Sequence, residues 1–221
     1  MSTPVDLSTR FFLKATAAAV AAVAAGCAPP RDPGKPIEEG FEYQVVPNPW
    51  PNLSSSRFEV IEFFWYGCPY CNAFEPFLKE WAARLPPDVA FRHLHVGLNP
   101  NHAVHQRLFF ALEVLGKDKE LNSVMFSALH EQQMFLESPE RIADFFAQHG
   151  VDRQLLLDTM KSPEVAARCE RANAIAKAAK ITGVPELAVN GKWLTDTTMA
   201  GNYRKTLNVV DYLLARDRAG G

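Results

Sequence analysis

Cysteine, histidine and carboxylate side chains are the groups in this chain that could carry covalent or metal chemistry, and one pair stands out by spacing. Cys68 and Cys71 lie two residues apart in the stretch EFFWYGCPYCNAFEP, Glu62 to Pro76. Such a pair can be a redox couple, half of a metal site or a small structural disulfide. Zinc normally takes four ligands, and no second CxxC or closely spaced Cys/His pair accompanies this one. His93, His95, His102 and His105 are close in sequence, but His93 and His95 fall on a strand pattern and His102 and His105 on a helix start. No carboxylate signature links them, so no metal and no cofactor is expected. A two-residue loop gains little from closure, which counts against an inert disulfide. Redox chemistry is the favoured reading.

The neighbouring residues say how the pair would be held. Arg57 to Tyr66, RFEVIEFFWY, is β-branched and aromatic, as central strands are. Helical spacing follows, with Phe74, Phe77, Leu78, Trp81 and Leu85 on one face. Cys68 then falls at a helix N-terminus, where unpaired N–H groups and the macrodipole favour an anion. Pro69 suits the first helical position because its missing N–H has no partner there. Cysteines so placed have pKa values lowered to roughly 3.5–7.5. Each unit of lowering is about 1.4 kcal/mol in favour of the thiolate, which stabilises the reduced form and makes the disulfide a better oxidant. Cys71, one turn on, would be the more shielded thiol.

Farther along, Phe41–Val46 alternates like a half-buried strand, and Val89–Val96 returns to strand period after the helix. The first part therefore reads strand, strand, helix, strand, with the cysteines at the carboxyl end of a strand, where α/β sheets place their chemistry. From Asn99 the pattern is helical for about eighty residues. Gly116 reads as a C-terminal glycine; Ser138-Pro139, Asp152 and Ser162-Pro163 read as helix starts. Strand signals return at VPELAVNGKWL, where Asn190-Gly191 marks a hairpin. An amphipathic helix runs from Tyr203 to about Ala215. Cys169 shares a helical stripe with Val165, Ala172 and Ala176, which predicts a buried, inert thiol.

The chain has 221 residues, 48% hydrophobic and 22% charged, with a net charge of −2. It shows no basic block, so a nucleic-acid surface is not expected. Residues 1–27 read as an export signal: Arg10 and Lys14, an apolar run from Ala15 to Ala25 too short for a permanent span, then small residues. Ala25-Gly26-Cys27 resembles a bacterial lipobox, which makes Cys27 a candidate lipidation site. Residues 28–40 are rich in Pro, Gly and polar residues and suit a flexible tether. Export implies an oxidising compartment, the bacterial periplasm, with membrane tethering through a lipid if Cys27 is modified.

The stretch around the cysteines, the long helical insertion and TGVPELAVNGKW together resemble the DsbA family of exported thiol:disulfide oxidoreductases, over about residues 41 to 215. The resemblance implies an α/β thioredoxin fold with an inserted all-helical domain: residues 41–98 and 181–221 forming the discontinuous thioredoxin-like part, and 99–180 the insertion. It implies a redox-active Cys68–Cys71 disulfide, with Cys68 the exposed nucleophile and Cys71 the buried partner. Val184-Pro185 matches the family's residue before a cis-proline beside the active site. Glu62 matches a buried acid beneath the pair, and Pro76 a helix-kinking proline. The implied activity is dithiol oxidation of unfolded or partly folded exported proteins with free thiols, with reoxidation by a DsbB-type membrane partner. A reductase or isomerase, or a non-catalytic substrate-binding or chaperone module with a vestigial pair, are the alternatives. Two departures stand out. Tyr70 replaces the histidine of the best-known members, which predicts a less oxidising couple, and Glu186 follows Pro185 where a small or apolar residue is usual. The aromatics Trp65, Tyr66, Phe74 and Phe77 could serve the core or a substrate surface.

Overall fold

The computed structural model describes residues 36–220. The expected export signal, Cys27 and the tether up to residue 35 lie outside the described residues. The rest forms one compact unit around a five-stranded sheet.

The chain enters through a turn closed by Gly40 N–H on the Tyr43 carbonyl (2.8 Å) and Glu42 N–H on the Glu38 carbonyl (3.1 Å). That turn uses up most of the expected Phe41–Val46 strand and leaves β1, Gln44–Val45. β2 (Phe58–Phe64) is buried along its whole length. α1 (Pro69–Ala82) and β3 (Val89–His95) complete a βαβ unit in which β2 and β3 are parallel. Five helices then intervene: α2 (Ala103–Val114), α3 (Asp118–His130), α4 (Pro139–Ala147), α5 (Arg153–Lys161) and α6 (Pro163–Ala179). β4 (Glu186–Val189), β5 (Trp193–Thr195), the short α7 (Thr197–Ala200) and α8 (Tyr203–Gly220) return the chain to the sheet. The strand order is β1-β5-β4-β2-β3, with β4 antiparallel to both neighbours.

Local chemistry explains these boundaries. Ser138, Asp152 and Ser162 accept from Arg141 N–H, Leu155 N–H and Val165 N–H (3.3, 2.7 and 3.2 Å), capping α4, α5 and α6. Pro139 and Pro163 occupy first-turn positions that need no donor. Asn190 and Gly191 both have positive φ (51° and 61°), which a two-residue hairpin requires. α3, which the pattern does not resolve within the long helical region, bears directly on the site.

Two apolar layers flank the sheet. Val60, Phe74, Leu78, Leu187, Val210 and Leu213 join β2 and β4 to α1 and α8. Ile61, Phe63, Leu94, Leu108, Phe109 and Met125 join the other face to the helices between β3 and β4. The alternation of β2 sends Glu62 to the α1 side, in line with Val60. A carboxylate is thereby set under the first turn of α1.

Candidate active site

β2 ends at Phe64, and the turn Trp65-Tyr66-Gly67 leads into α1. A Cβ on Gly67 would lie 2.3 Å from the Trp65 ring, so a side chain here would push the indole off its stack on His102. The Cys68 N–H donates to the Trp65 carbonyl (3.0 Å), and Cys68 takes the extended N-cap conformation with Pro69 next. Cys68 and Cys71 are a dithiol here. Cys71 is 1% exposed and Cys68 only 6%. The expected contrast between an exposed and a buried thiol is therefore small. The segment carrying the cis Val184–Pro185 peptide lies against Cys68, with the Val184 carbonyl oxygen 3.4 Å from Sγ. Tyr70 is 66% exposed, and its carbonyl accepts from the Tyr203 hydroxyl (3.3 Å).

Electrostatics separates the two sulfurs. The Cys71 S–H, then the backbone N–H groups of Cys71 and Tyr70, donate to the Cys68 thiolate and hold its pKa at about 6, against the opposing effect of burial. His130 contributes a smaller favourable charge. Burial pushes the Cys71 thiol far up, and the Cys68 and Glu62 charges push the same way. One sulfur is thus a thiolate near neutral pH and its neighbour keeps its proton.

Below the pair lies the expected buried acid, Glu62, together with a partner that the sequence pattern does not indicate. Glu62, 1% exposed, is bonded to His93 Nδ1 at 2.6 Å, and His93 Nε2 lies 3.9 Å from Glu75. In the β2–β3 register Glu62 stands opposite His93, which is why two residues 31 positions apart meet. Burial raises the Glu62 pKa, partly offset by His93. Burial alone would lower His93, but the Glu62 bond and charge outweigh it and the net shift is upward. The hydrogen-bonded pair lies close enough to Cys71 for the Glu62 charge to raise that thiol's pKa. Glu62 Oε1 has no hydrogen-bond partner, leaving one lone-pair face free.

The carboxylate signature missing from the sequence pattern is supplied by tertiary structure: Glu62, Glu75 and His93 place ligand atoms within 4.8 Å of one another. His93 Nδ1 is already committed to Glu62 at 2.6 Å.

Three further histidines, His102, His105 and His130, grip the active-site turn from the inserted segment. The His130 Nε2–H donates to the Tyr66 carbonyl (2.7 Å). His105 Nδ1 accepts from the Trp65 indole (3.2 Å), and His102 stacks on the Trp65 ring at 4.0 Å. The Tyr66 hydroxyl donates to Asn122. His95 packs edge-on to Phe64 within the aromatic core. Tyr66 and Phe74 are core residues, while Trp65 and Phe77 are only partly buried. No sequence signal marks His130 or Asn122, because both act through chain-distant partners. Pro76 lies inside α1, and Cys169 is buried with its thiol pKa raised by burial to about 11.

A strand-turn-helix with two cysteines at the helix start, a parallel βαβ unit, an antiparallel return and helices inserted between the two define a thioredoxin-type fold with a helical insertion. Residues 97–208 match the DSBA-like thioredoxin domain. The chain is 39% identical over 180 residues to the thiol:disulfide interchange protein DsbA of Pseudomonas aeruginosa, covering 81% of this chain and 85% of that protein. Its identity to the DsbA of Azotobacter vinelandii is 38%, over 83% of this chain and 86% of the relative. The crystal structure of Pseudomonas aeruginosa DsbA superposes with a TM-score of 0.80 at 38% identity, covering 83% of this chain and 96% of that one. The oxidoreductase DsbA from Xylella fastidiosa gives a TM-score of 0.78 at 31% identity, over 83% and 98% of the two chains. The chain belongs to the DsbA family.

Proposed function

We propose that this protein is an exported protein-disulfide oxidoreductase that introduces disulfides into substrate proteins through Cys68 and Cys71. The observation that carries this reading is the inequality of the two thiols, one held at about 6 and the other pushed far up by burial. A thiolate stabilised in the reduced form makes the corresponding disulfide an oxidant.

In the oxidised protein a substrate thiolate attacks Cys68 Sγ. The Cys68–Cys71 bond breaks, its electron pair leaves on Cys71, and the Glu62–His93 pair delivers the proton Cys71 takes up. A second substrate thiolate then attacks the substrate sulfur of the mixed disulfide, and Cys68 departs as the thiolate. The substrate loses two electrons and the protein gains them. The Val184 backbone, 3.4 Å from Cys68 Sγ, is where an extended substrate segment pairs in strand fashion. Pro69 fits the first helical position, where its missing N–H costs no bond, and Tyr70 brings no charge to the pair, which gives a milder oxidant than a histidine there.

By family membership, reoxidation falls to a DsbB-type membrane partner, and the substrates are unfolded or partly folded exported proteins with free thiols. Residues 1–27 act as the export signal to the periplasm, Cys27 is the lipid-bearing residue, and residues 28–35 tether the domain, the last five residues of the expected 28–40 tether being folded into the turn before β1. Residues 99–180 are the helical insertion domain. Among the described residues no helix is long and apolar enough to cross a membrane.

Equilibration of the Cys68–Cys71 couple against glutathione buffers tests the direction of the reaction. A potential above about −200 mV is expected for an oxidase, whereas a value below about −250 mV would show a reductase instead. Cys68→Ser must abolish oxidation of reduced substrates; retained function would show a vestigial pair in a binding module.

A further inference from the structure

A groove of about 560 Å³ runs from the active-site turn along the sheet end, lined by Tyr70, Val184, Pro185, Glu186, Asp196 and Thr197. It adjoins the reacting sulfur through Val184, a lining residue whose carbonyl lies 3.4 Å from Cys68 Sγ. Glu186 is the first residue of β4 and faces away from the α1 layer that takes Leu187. Its carboxyl group meets Gln44 and the Asp196 carboxylate, and burial followed by the Asp196 charge raises its pKa to about 7. Asp196 is fixed in place as the cap of α7, accepting from Met199 N–H at 2.7 Å.

The groove thus presents two carboxylates. The one ammonium among its described lining residues is Lys180, exposed at the C-terminus of α6. Among the described residues no Lys or Arg forms an ion pair with Glu186, and neither Asp196 nor Gln44 can neutralise it. A half-buried carboxylate without a counter-cation sits unfavourably in an empty groove and gains most when a cation arrives with the occupant.

We propose that Glu186 is a specificity-determining residue, selecting substrate segments that carry Lys or Arg about two residues from the reacting cysteine. The inference rests on the oxidoreductase reading above and names the substrate class for the same site. An extended segment rises about 3.3 Å per residue. Glu186 lies two positions on from Val184, a spacing that therefore corresponds to about two residues of a peptide lying alongside. A guanidinium or ammonium on that residue reaches the carboxylate, and an acidic one is repelled.

The test uses the oxidised full protein and three reduced dicysteine peptides that are identical except for one flanking residue, Arg, Gln or Glu. Second-order oxidation rates are read at pH 8, where Glu186 is ionised, at low and high salt. The wild-type protein should prefer the Arg peptide over the Glu peptide by about tenfold at low salt, with the ratio shrinking as salt screens the pair. Glu186→Gln should bring the ratio to within about twofold, and Glu186→Lys should invert it. Ratios measured within one protein do not depend on the fraction folded. Equal rates for the three wild-type substrates, or a preference unchanged in Glu186→Gln, would overturn the inference while leaving the redox reading intact. Failure to oxidise any of the three peptides would overturn both.

Discussion

Replacing Cys71 with alanine is the sharpest probe of how this site makes a thiolate. The largest influence holding Cys68 down is the hydrogen bond donated by the Cys71 S–H, ahead of the backbone donors and well ahead of the His130 charge. A hydrogen bond to a charged group contributes about 1.5–3 kcal/mol. At about 1.4 kcal/mol per pKa unit, losing it moves the Cys68 midpoint up by about one to two units. The value should therefore rise from about 6 to between about 7 and 8. It should stay below the ordinary 9.0, because the Tyr70 and residue-71 backbone N–H groups still face the sulfur. Thiolate absorbance in the ultraviolet against pH gives the midpoint, and the pH dependence of alkylation by iodoacetamide checks it independently. A midpoint that moves by less than about 0.5 unit would refute the assignment and transfer the stabilisation to the helix N-terminus and His130.

The same thiolate should be visible in stability. A thiol lowered in the folded protein contributes stability that is fully present above its unfolded value and is lost as pH falls through the folded value of about 6. For a sulfur in this groove, partly screened by water, reduced wild type relative to Cys68→Ser should gain about 1 kcal/mol between pH 5 and pH 7 in denaturant unfolding; a flat difference counts against the lowered thiol. Glu62→Gln removes the proton carrier beneath Cys71 and should slow formation of the Cys68–Cys71 disulfide by at least about tenfold, and stopped-flow reoxidation at an unchanged rate would exclude that role. His93→Leu leaves the buried Glu62 carboxyl without its partner and should cost about 2–3 kcal/mol in urea unfolding. Tyr66→Phe deletes the hydroxyl bond to Asn122 and should cost about 1–2 kcal/mol without moving the Cys68 midpoint; a shifted midpoint would show that the Tyr66–Asn122 contact also positions the thiol.

The parts of this protein legible in the sequence are those governed by neighbours in the chain. A strand followed by Cys-Pro and an amphipathic helix puts Cys68 at a helix start, since periodicity and the missing proline donor are local properties. The caps at Ser138, Asp152 and Ser162 and the Asn190-Gly191 turn are local in the same way. The Phe41–Val46 strand is shorter than its alternation predicts because a turn bonded between Glu38 and Tyr43 competes for the same backbone groups.

Tertiary structure alone decided what surrounds the sulfurs. Parallel pairing of β2 with β3 brings His93 to Glu62, giving the acid expected beneath the cysteines a partner that no local pattern indicates. The inserted helices carry His102, His105, Asn122 and His130 onto the Trp65-Tyr66 turn, so histidines that resemble scattered metal ligands in the sequence act as clamps. The nearly equal burial of Cys68 and Cys71 follows from the Val184–Pro185 segment lying over the helix start, a contact 116 residues away in the chain. Spacing in a sequence fixes which chemistry is available; pKa values depend on burial and on partners that only the folded chain brings within hydrogen-bonding distance.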